Sequence, residues 1–182
     1  MPSARPRVLR PERPSISGLQ EKPRHAGFFF AALLILGLAA SPAQAWTCQG
    51  VVSRVHDGDT LSVRCGSGKL VKVRLARIDA PELRQEAGPE SLRALTELVE
   101  GREVVLRSRA VDRYQRTVAD LEVEGEDLSE ALVRAGWAWC GRRAAAGCRA
   151  LEAQAREARR GLWQEPLPQA PWDWRRAHPR LP

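Results

Sequence analysis

Apolar and polar residues alternate along several short stretches of this chain, which is the pattern of half-buried β-strands. The clearest stretch is 60–65, and the turn sequence Gly66-Ser67-Gly68 follows it directly. In chain order, the alternation predicts strands at 49–56, 60–65, 69–78, 103–109 and 117–123. Only short turns separate the first three strands, so we expect them to pair as an antiparallel meander.

A helical period replaces the alternation in three places. Pro89 opens a helix whose leucines fall on one face, and Gly101 ends it. A second helix begins at Asp127, with Glu130 three residues later as in a capping box. A third should run from about residue 148 to residue 160. The pattern therefore predicts an α+β, mainly β, fold: a five-stranded OB-fold barrel with three helices.

The two ends of the chain differ from this middle part. Basic residues precede an apolar run at 28–40, and small residues follow at 41–45. The apolar run has 13 residues, whereas a membrane span needs roughly 20. We therefore predict an export signal over residues 1–45, with an uncleaved N-terminal anchor as the alternative. Residues 46–165 form the predicted domain. Residues 166–182, with five prolines, form a tail that we expect to be extended and irregular.

The strong positive charge of the chain belongs partly to this leader. Six of the 29 basic and two of the 22 acidic residues lie in 1–45, so the net charge falls from +7 to +3 without them. A mildly basic domain is compatible with a polyanionic partner but is weak support for one.

Cysteine usage indicates an oxidising compartment. Four cysteines follow the leader: Cys48, Cys65, Cys140 and Cys148. An even number in an exported domain predicts disulfides, and three pairings are possible. The most local choice is Cys48–Cys65 with Cys140–Cys148. A zinc site is disfavoured because there is no C-x-x-C and histidine is scarce. We expect a periplasmic or secreted protein that contacts no membrane after the signal is removed.

Carboxylates and arginines gather at the ends of the predicted strands. Meander pairing would bring Asp59 close to Asp79, and two such carboxylates with a backbone carbonyl suit Ca²⁺. Arg74 and Arg116 offer guanidinium forks that suit a phosphate. An EF-hand is excluded because Gly68 stands at the twelfth loop position, where glutamate belongs. Taken singly, these residues also fit a hairpin turn and a solvated strand face.

Four spaced motifs together resemble the staphylococcal nuclease (thermonuclease) family over roughly residues 51–163. They are Asp57-Gly58-Asp59-Thr60, Arg74-x4-Asp79-Ala80-Pro81-Glu82, Asp112-x-Tyr114-x-Arg116 and Glu130-Ala131-Leu132-Val133-Arg134-x-Gly136. The resemblance implies an OB-fold nuclease that uses Ca²⁺ to hydrolyse phosphodiester bonds of DNA and RNA. It implies that the side chains of Asp59 and Asp79 and the carbonyl of Ala80 bind the metal.

The same resemblance assigns the remaining candidate residues. Arg74 and Arg116 would stabilise the transition state, and Glu82 would orient or deprotonate the attacking water. Tyr114, with Arg113 beside it, would hold the nucleotide. No covalent nucleophile is needed, and we expect a monomer without a stable protein partner.

Two residues differ from those usual in the family, and two alternative functions remain open. Ala80 replaces a frequent threonine, which is harmless if only its carbonyl is used, and Gln115 replaces a common glycine. The first alternative is a catalytically inactive OB-fold module that only binds nucleic acid. The second is a protein-interaction domain that uses the tail tryptophans, Trp172 and Trp174.

Overall fold

The computed structural model describes residues 45–179 of the chain. Its strands are β1 (Thr47–Val55), β2 (Thr60–Cys65), β3 (Leu70–Leu75), β4 (Ile78–Asp79), β5 (Glu103–Val111), β6 (Thr117–Val123), β7 (Glu126–Asp127) and β8 (Trp139–Cys140). Its helices are α1 (Gly88–Val99), α2 (Leu128–Arg134), α3 (Ala146–Glu157), a short 3-10 helix (Gly161–Gln164) and α4 (Pro171–Ala177).

Five of these strands close into a barrel. β1, β2 and β3 form the predicted antiparallel meander, and β5 and β6 extend the sheet on the other side of β1. Parallel pairing of β3 with β6 closes the ring, with Val73 opposite Thr117. The predicted α+β fold with a five-stranded OB-type barrel is confirmed.

The barrel interior is filled by the apolar members of the alternating strands. The largest fully buried aliphatic residues on the strands are Leu61, Val63, Val73, Leu75, Val104, Leu106 and Leu121. Each such side chain contributes about 1.5–3 kcal/mol through its burial. The helices cover the barrel with buried residues of their own, such as Leu95 of α1 and Leu132 of α2. Asp127 caps α2 by accepting a hydrogen bond from the Glu130 amide at 3.0 Å, as predicted.

Both disulfides join the cysteines predicted to be partners. Cys48–Cys65 links β1 to β2, with 5.8 Å between the Cα atoms. Cys140–Cys148 links β8 to the first turn of α3, with a Cα separation of 6.0 Å. The second bond therefore fixes a short strand that lies outside the barrel ring.

The third strand ends earlier than the alternation predicts. We expected it to reach residue 78, but β3 stops at Leu75 and the chain turns at Arg77, whose φ is 69°. The following residues form β4, which pairs with β8 instead of extending the barrel. A close backbone approach holds this turn, because a Cβ on Gly141 would stand 2.9 Å from the Arg77 carbonyl oxygen. Alternation does not reveal such a turn.

The third helix is displaced from its predicted range. It runs from Ala146 to Glu157 rather than from about 148 to 160. Left-handed backbone at Arg159 (φ 48°) and Gly161 (φ 52°) then turns the chain into the 3-10 helix. Ala145, just before the helix, has extended backbone (ψ 164°), so the first helical residue is Ala146, two residues before Cys148.

The tail was predicted to be extended and irregular, which is wrong over Pro171–Ala177, where the chain forms α4. The prolines flank this helix rather than interrupt it, and Pro171 lies at its start, where the missing N–H costs nothing. Acidic Asp173 near the first turn and basic Arg175 and Arg176 in the last turn also suit the helix dipole.

The helices within residues 45–179 include none with the length and apolar character needed to span a bilayer. The predicted export signal lies outside the described residues, apart from Ala45.

Candidate active site

Asp59 is placed by a tight turn between β1 and β2. The Asp57 carboxylate accepts a hydrogen bond from the Asp59 amide at 3.0 Å, which is a typical Asx turn. The turn is packed against α1, because a Cβ on Gly58 would stand only 1.9 Å from Ser91 Oγ. Asp59 is consequently 6% exposed. The turn is therefore buried against α1, unlike an ordinary solvent-exposed hairpin turn.

Asp79 reaches the same point from the short sheet formed by β4 and β8. It lies opposite Trp139 in the ladder and is 8% exposed. The next residue joins the two acidic segments, because the Ala80 amide donates to Asp59 Oδ2 at 3.1 Å. The structure thus brings Asp59, Asp79 and Ala80 together, but through the pairing of β4 with β8 rather than through the meander pairing that the sequence suggested.

Arg74 connects the two carboxylates. Its Nη2 lies 3.1 Å from Asp59 Oδ2 and 2.8 Å from Asp79 Oδ1. Its Nη1 donates to the carbonyl of Ile78 at 3.0 Å. Arg74 lies opposite Thr60 in the β2–β3 ladder, so the strand register places Arg74 beside the turn that carries Asp59.

The electrostatic state of Asp59 reflects this crowding. Burial raises the pKa of Asp59 to about 7, with repulsion from Asp57 and Asp79 acting in the same direction and attraction from Arg74 opposing it. Ionised carboxylates in such a place need compensating positive charge.

Arg116 joins the site through Thr60. Arg116 Nη1 donates to Thr60 Oγ1 at 3.3 Å, and that hydroxyl donates to Asp59 Oδ1 at 2.9 Å. Arg116 Nε is also held by Asp112 Oδ2 at 2.8 Å. Partial burial raises the pKa of Asp112, but hydrogen bonds from Arg116 and from the Tyr114 amide prevail and lower it. Thr60 belongs to one of the sequence motifs, but the sequence alone did not indicate that it links Arg116 to Asp59.

The loop between β5 and β6 carries the other candidates. Tyr114 is 57% exposed, and its hydroxyl accepts a hydrogen bond from Arg113 at 2.8 Å. The Arg116 guanidinium lies 5.4 Å from the centre of the Tyr114 ring. Gln115 has a φ of 61°, so it adopts the left-handed conformation that favours glycine. Gln115 therefore stands in a conformation that glycine would adopt without strain.

The residue that sequence reasoning missed is Arg175 of α4. Its Nη2 lies 2.6 Å from Asp79 Oδ2, and its Nη1 lies 2.9 Å from Glu82 Oε1. Of the two tail tryptophans, Trp172 packs back on the domain, with its ring 6.4 Å from that of Trp139. That packing brings Arg175 to the carboxylates, and nothing in the local pattern indicates it.

The donor set suits a hard divalent cation. No group of three or more histidine, cysteine or acidic side chains able to hold a metal ion occurs within residues 45–179. The candidate ligands are instead two buried carboxylates and the Ala80 carbonyl, which are oxygen donors of the kind that Ca²⁺ and Mg²⁺ bind with additional waters. The chemical type of these donors therefore fits such an ion. Guanidinium groups of Arg74 and Arg175 contact the Asp79 oxygens in this structure, so an ion would share or displace those contacts.

Known proteins resemble this chain over most of its length. The family described as "Staphylococcal nuclease homologue" matches residues 72–165. The chain is 39% identical to Protein ParB of Escherichia coli, over 80% of this chain and 89% of that protein. It is 37% identical to the micrococcal nuclease of Shigella flexneri, over 81% and 90%. It is 36% identical to an uncharacterized endonuclease of Haemophilus influenzae, over 79% and 81%.

Proposed function

Because this chain belongs to the staphylococcal nuclease family and is a nuclease that acts on nucleic acids, we propose that it hydrolyses DNA and RNA with the help of a calcium ion. Asp59, Asp79 and the carbonyl of Ala80 would hold the ion. The observation that supports this proposal is the contact of one Arg74 nitrogen with both buried carboxylates. When bound, calcium supplies positive charge beside the phosphoryl oxygen and holds a water.

The two arginines act on the phosphate. Arg74 contacts Asp59 Oδ2 directly, and Arg116 reaches Asp59 Oδ1 through the Thr60 hydroxyl. As the phosphorus becomes five-coordinate, its equatorial oxygens gain charge, and fixed guanidinium groups stabilise that charge most strongly in the transition state. Asp112 fixes the Arg116 side chain before substrate binds, which lowers the cost of positioning it.

Glu82 is the proposed general base. It follows Asp79 by three residues, and Arg175 joins the two carboxylates through one guanidinium. Glu82 therefore lies within the reach of one side chain from a proposed metal ligand, where it can take the proton of the attacking water. The exposed Tyr114 and Arg113 offer a ring and a cation to the nucleotide.

In an inactive nucleic-acid-binding module, we expect the acidic ligands or the arginines to have been lost. Asp59, Asp79, Arg74 and Arg116 are instead joined in one network of contacts. Catalysis is therefore the better-supported function.

A digestion experiment tests the proposal. Purified protein is incubated with plasmid DNA or with RNA, in Ca²⁺ and in excess EGTA, alongside Asp59→Ala and the control Glu122→Ala. The Glu122→Ala change removes the same charge from a half-buried position on β6, where Glu122 pairs with Arg107 away from the site. We expect cleavage by the wild type and the control in Ca²⁺ only, and none by Asp59→Ala. Full activity in EGTA would refute the metal assignment.

We also propose that the protein acts outside the cytoplasm. The two disulfides support this, because such bonds persist in oxidising compartments. Peptide mapping of the exported protein without reduction is the test, and four free thiols would contradict the proposal.

A further inference from the structure

The C-terminal segment reaches the candidate site through three anchors. Buried Gln85 donates from its side chain to the carbonyl of Gln169 at 2.5 Å. The Trp172 ring packs edge-on against Trp139, which is the ladder partner of Asp79. Arg175 makes the third anchor, on the carboxylates themselves. The contacts of Gln169 and Trp172 therefore hold the segment where Arg175 can reach Asp79 and Glu82.

Arg175 contacts the carboxylate oxygens that the proposed metal binding and proton transfer require. Its two terminal nitrogens contact both oxygens of Asp79, at 3.2 and 2.6 Å, and Glu82 Oε1 at 2.9 Å. A cation bound by Asp79 needs a lone pair on one of these oxygens, and it is repelled by a guanidinium beside it. The Glu82 oxygen that contacts Arg175 is also less accessible to a water.

The guanidinium of Arg175 keeps its positive charge, because arginine does not lose its proton in proteins. Releasing Asp79 and Glu82 therefore requires movement of the Arg175 side chain or of the helix that carries it.

We propose that α4 is an intramolecular inhibitor in which Arg175 is a tethered cation that competes with the metal ion for Asp79 and withholds Glu82 until the helix is displaced. This inference rests on the proposed metal-dependent nuclease function.

The helix is built to be displaced. It has seven residues, and among them only Pro171 is buried. The Arg175 side chain keeps 39% of its surface exposed. Segments with few buried contacts open at low free-energy cost. A divalent ion that takes over Asp79, together with a polyanion that attracts the freed Arg175 and Arg176, shifts the equilibrium toward the open helix.

Calcium affinity distinguishes this role from a catalytic one. We would titrate Ca²⁺ by calorimetry into the full chain with its disulfides intact, as wild type, Arg175→Ala and Arg176→Ala. Arg176 is the matched control, because it lies on the same helix, carries the same charge and contacts Asp173 rather than the site. We expect Arg175→Ala to bind Ca²⁺ about 10-fold more tightly, since the competing closed state is removed. Arg176→Ala should match the wild type.

A second measurement needs no variant. Amide hydrogen exchange in α4 of the wild type should accelerate when Ca²⁺ is added, because metal binding releases the helix. Equal Ca²⁺ affinity in all three proteins, weaker binding by Arg175→Ala, or unchanged exchange in α4 would each overturn the inhibitor role. Those results leave the nuclease proposal standing. Absence of Ca²⁺ binding in every protein would overturn the metal assignment itself and the inhibitor role with it.

Discussion

Replacing Arg74 with alanine should reveal how strongly the acidic pair depends on positive charge. Arg74→Ala removes the nitrogen shared by Asp59 and Asp79 and the donors to the carbonyls of Leu75 and Ile78. The Arg74 side chain is only 21% exposed, so solvent replaces these contacts poorly. Breaking one side of a buried ion pair costs about 3–5 kcal/mol. Because Arg175 still neutralises Asp79, we expect a loss of unfolding free energy near the lower end, about 3 kcal/mol.

Calcium should restore part of this loss. The ion neutralises the carboxylates that Arg74 leaves behind, and without Arg74 it meets less repulsion, so it binds the variant more tightly. Tighter binding to the folded state raises stability by mass action, by about 1.4 kcal/mol for each 10-fold gain in affinity at saturating ion. The measurement is urea unfolding of wild type and Arg74→Ala, in EGTA and in saturating Ca²⁺.

The control for this experiment is Arg107→Ala. Arg107 pairs with Glu122 on the exposed outer face of the same barrel, and its removal should leave stability close to that of the wild type in both buffers. A loss in Arg74→Ala below about 1 kcal/mol would refute the dependence on positive charge, since that is the range of an exposed pair. If Arg74→Ala lost the same unfolding free energy with and without Ca²⁺, the idea that Ca²⁺ and Arg74 share the same carboxylates would be refuted.

Three further predictions concern chemistry and stability. Glu82→Gln should lower kcat by about 100-fold or more while KM stays near wild type, because an amide cannot take the proton. Steady-state kinetics check this, and weakened binding with unchanged kcat would show that Glu82 is only a binding contact. Arg116→Ala should reduce turnover by about 10²–10³-fold with the fold retained, as judged by circular dichroism; near-wild-type turnover would remove it from the site. Replacing Cys140 and Cys148 together by serine should lower the unfolding free energy by about 2.5 kcal/mol through loop-closure entropy over their separation of 8 residues. Urea unfolding measures that loss, and an unchanged midpoint would contradict it.

The sequence predicted the barrel because alternation and interior burial coincide. Along β6 every second residue, from Thr117 to Val123, is buried. A strand with this period has only one face that can turn inward. The same regularity makes Asp59 and Asp79 visible, since each lies where an alternating stretch breaks.

The site was only partly predictable because some of its geometry comes from contacts between distant segments. The pairing of Asp79 with Trp139 involves two-residue strands, which have no period of their own. The requirement for glycine at residue 58 comes from Ser91 on α1 rather than from its neighbours in the turn. Arg175 belongs to a helix that the surrounding prolines made hard to predict. Its partners, Asp79 and Glu82, lie more than 90 residues earlier in the chain.

Closure of the barrel has a consequence for the order of folding. The ring is completed by parallel pairing of β3 with β6, which are far apart in the chain. Joining distant segments carries a loop-closure cost that local hairpins avoid, so it tends to come late in folding. Arg74 lies on β3 and Arg116 immediately precedes β6, so the two arginines meet only when this pairing forms. A chain that has folded only its first hairpins therefore holds the acidic turn without its second arginine. During refolding, cleavage should return with the closure of the barrel rather than with the first strands to form.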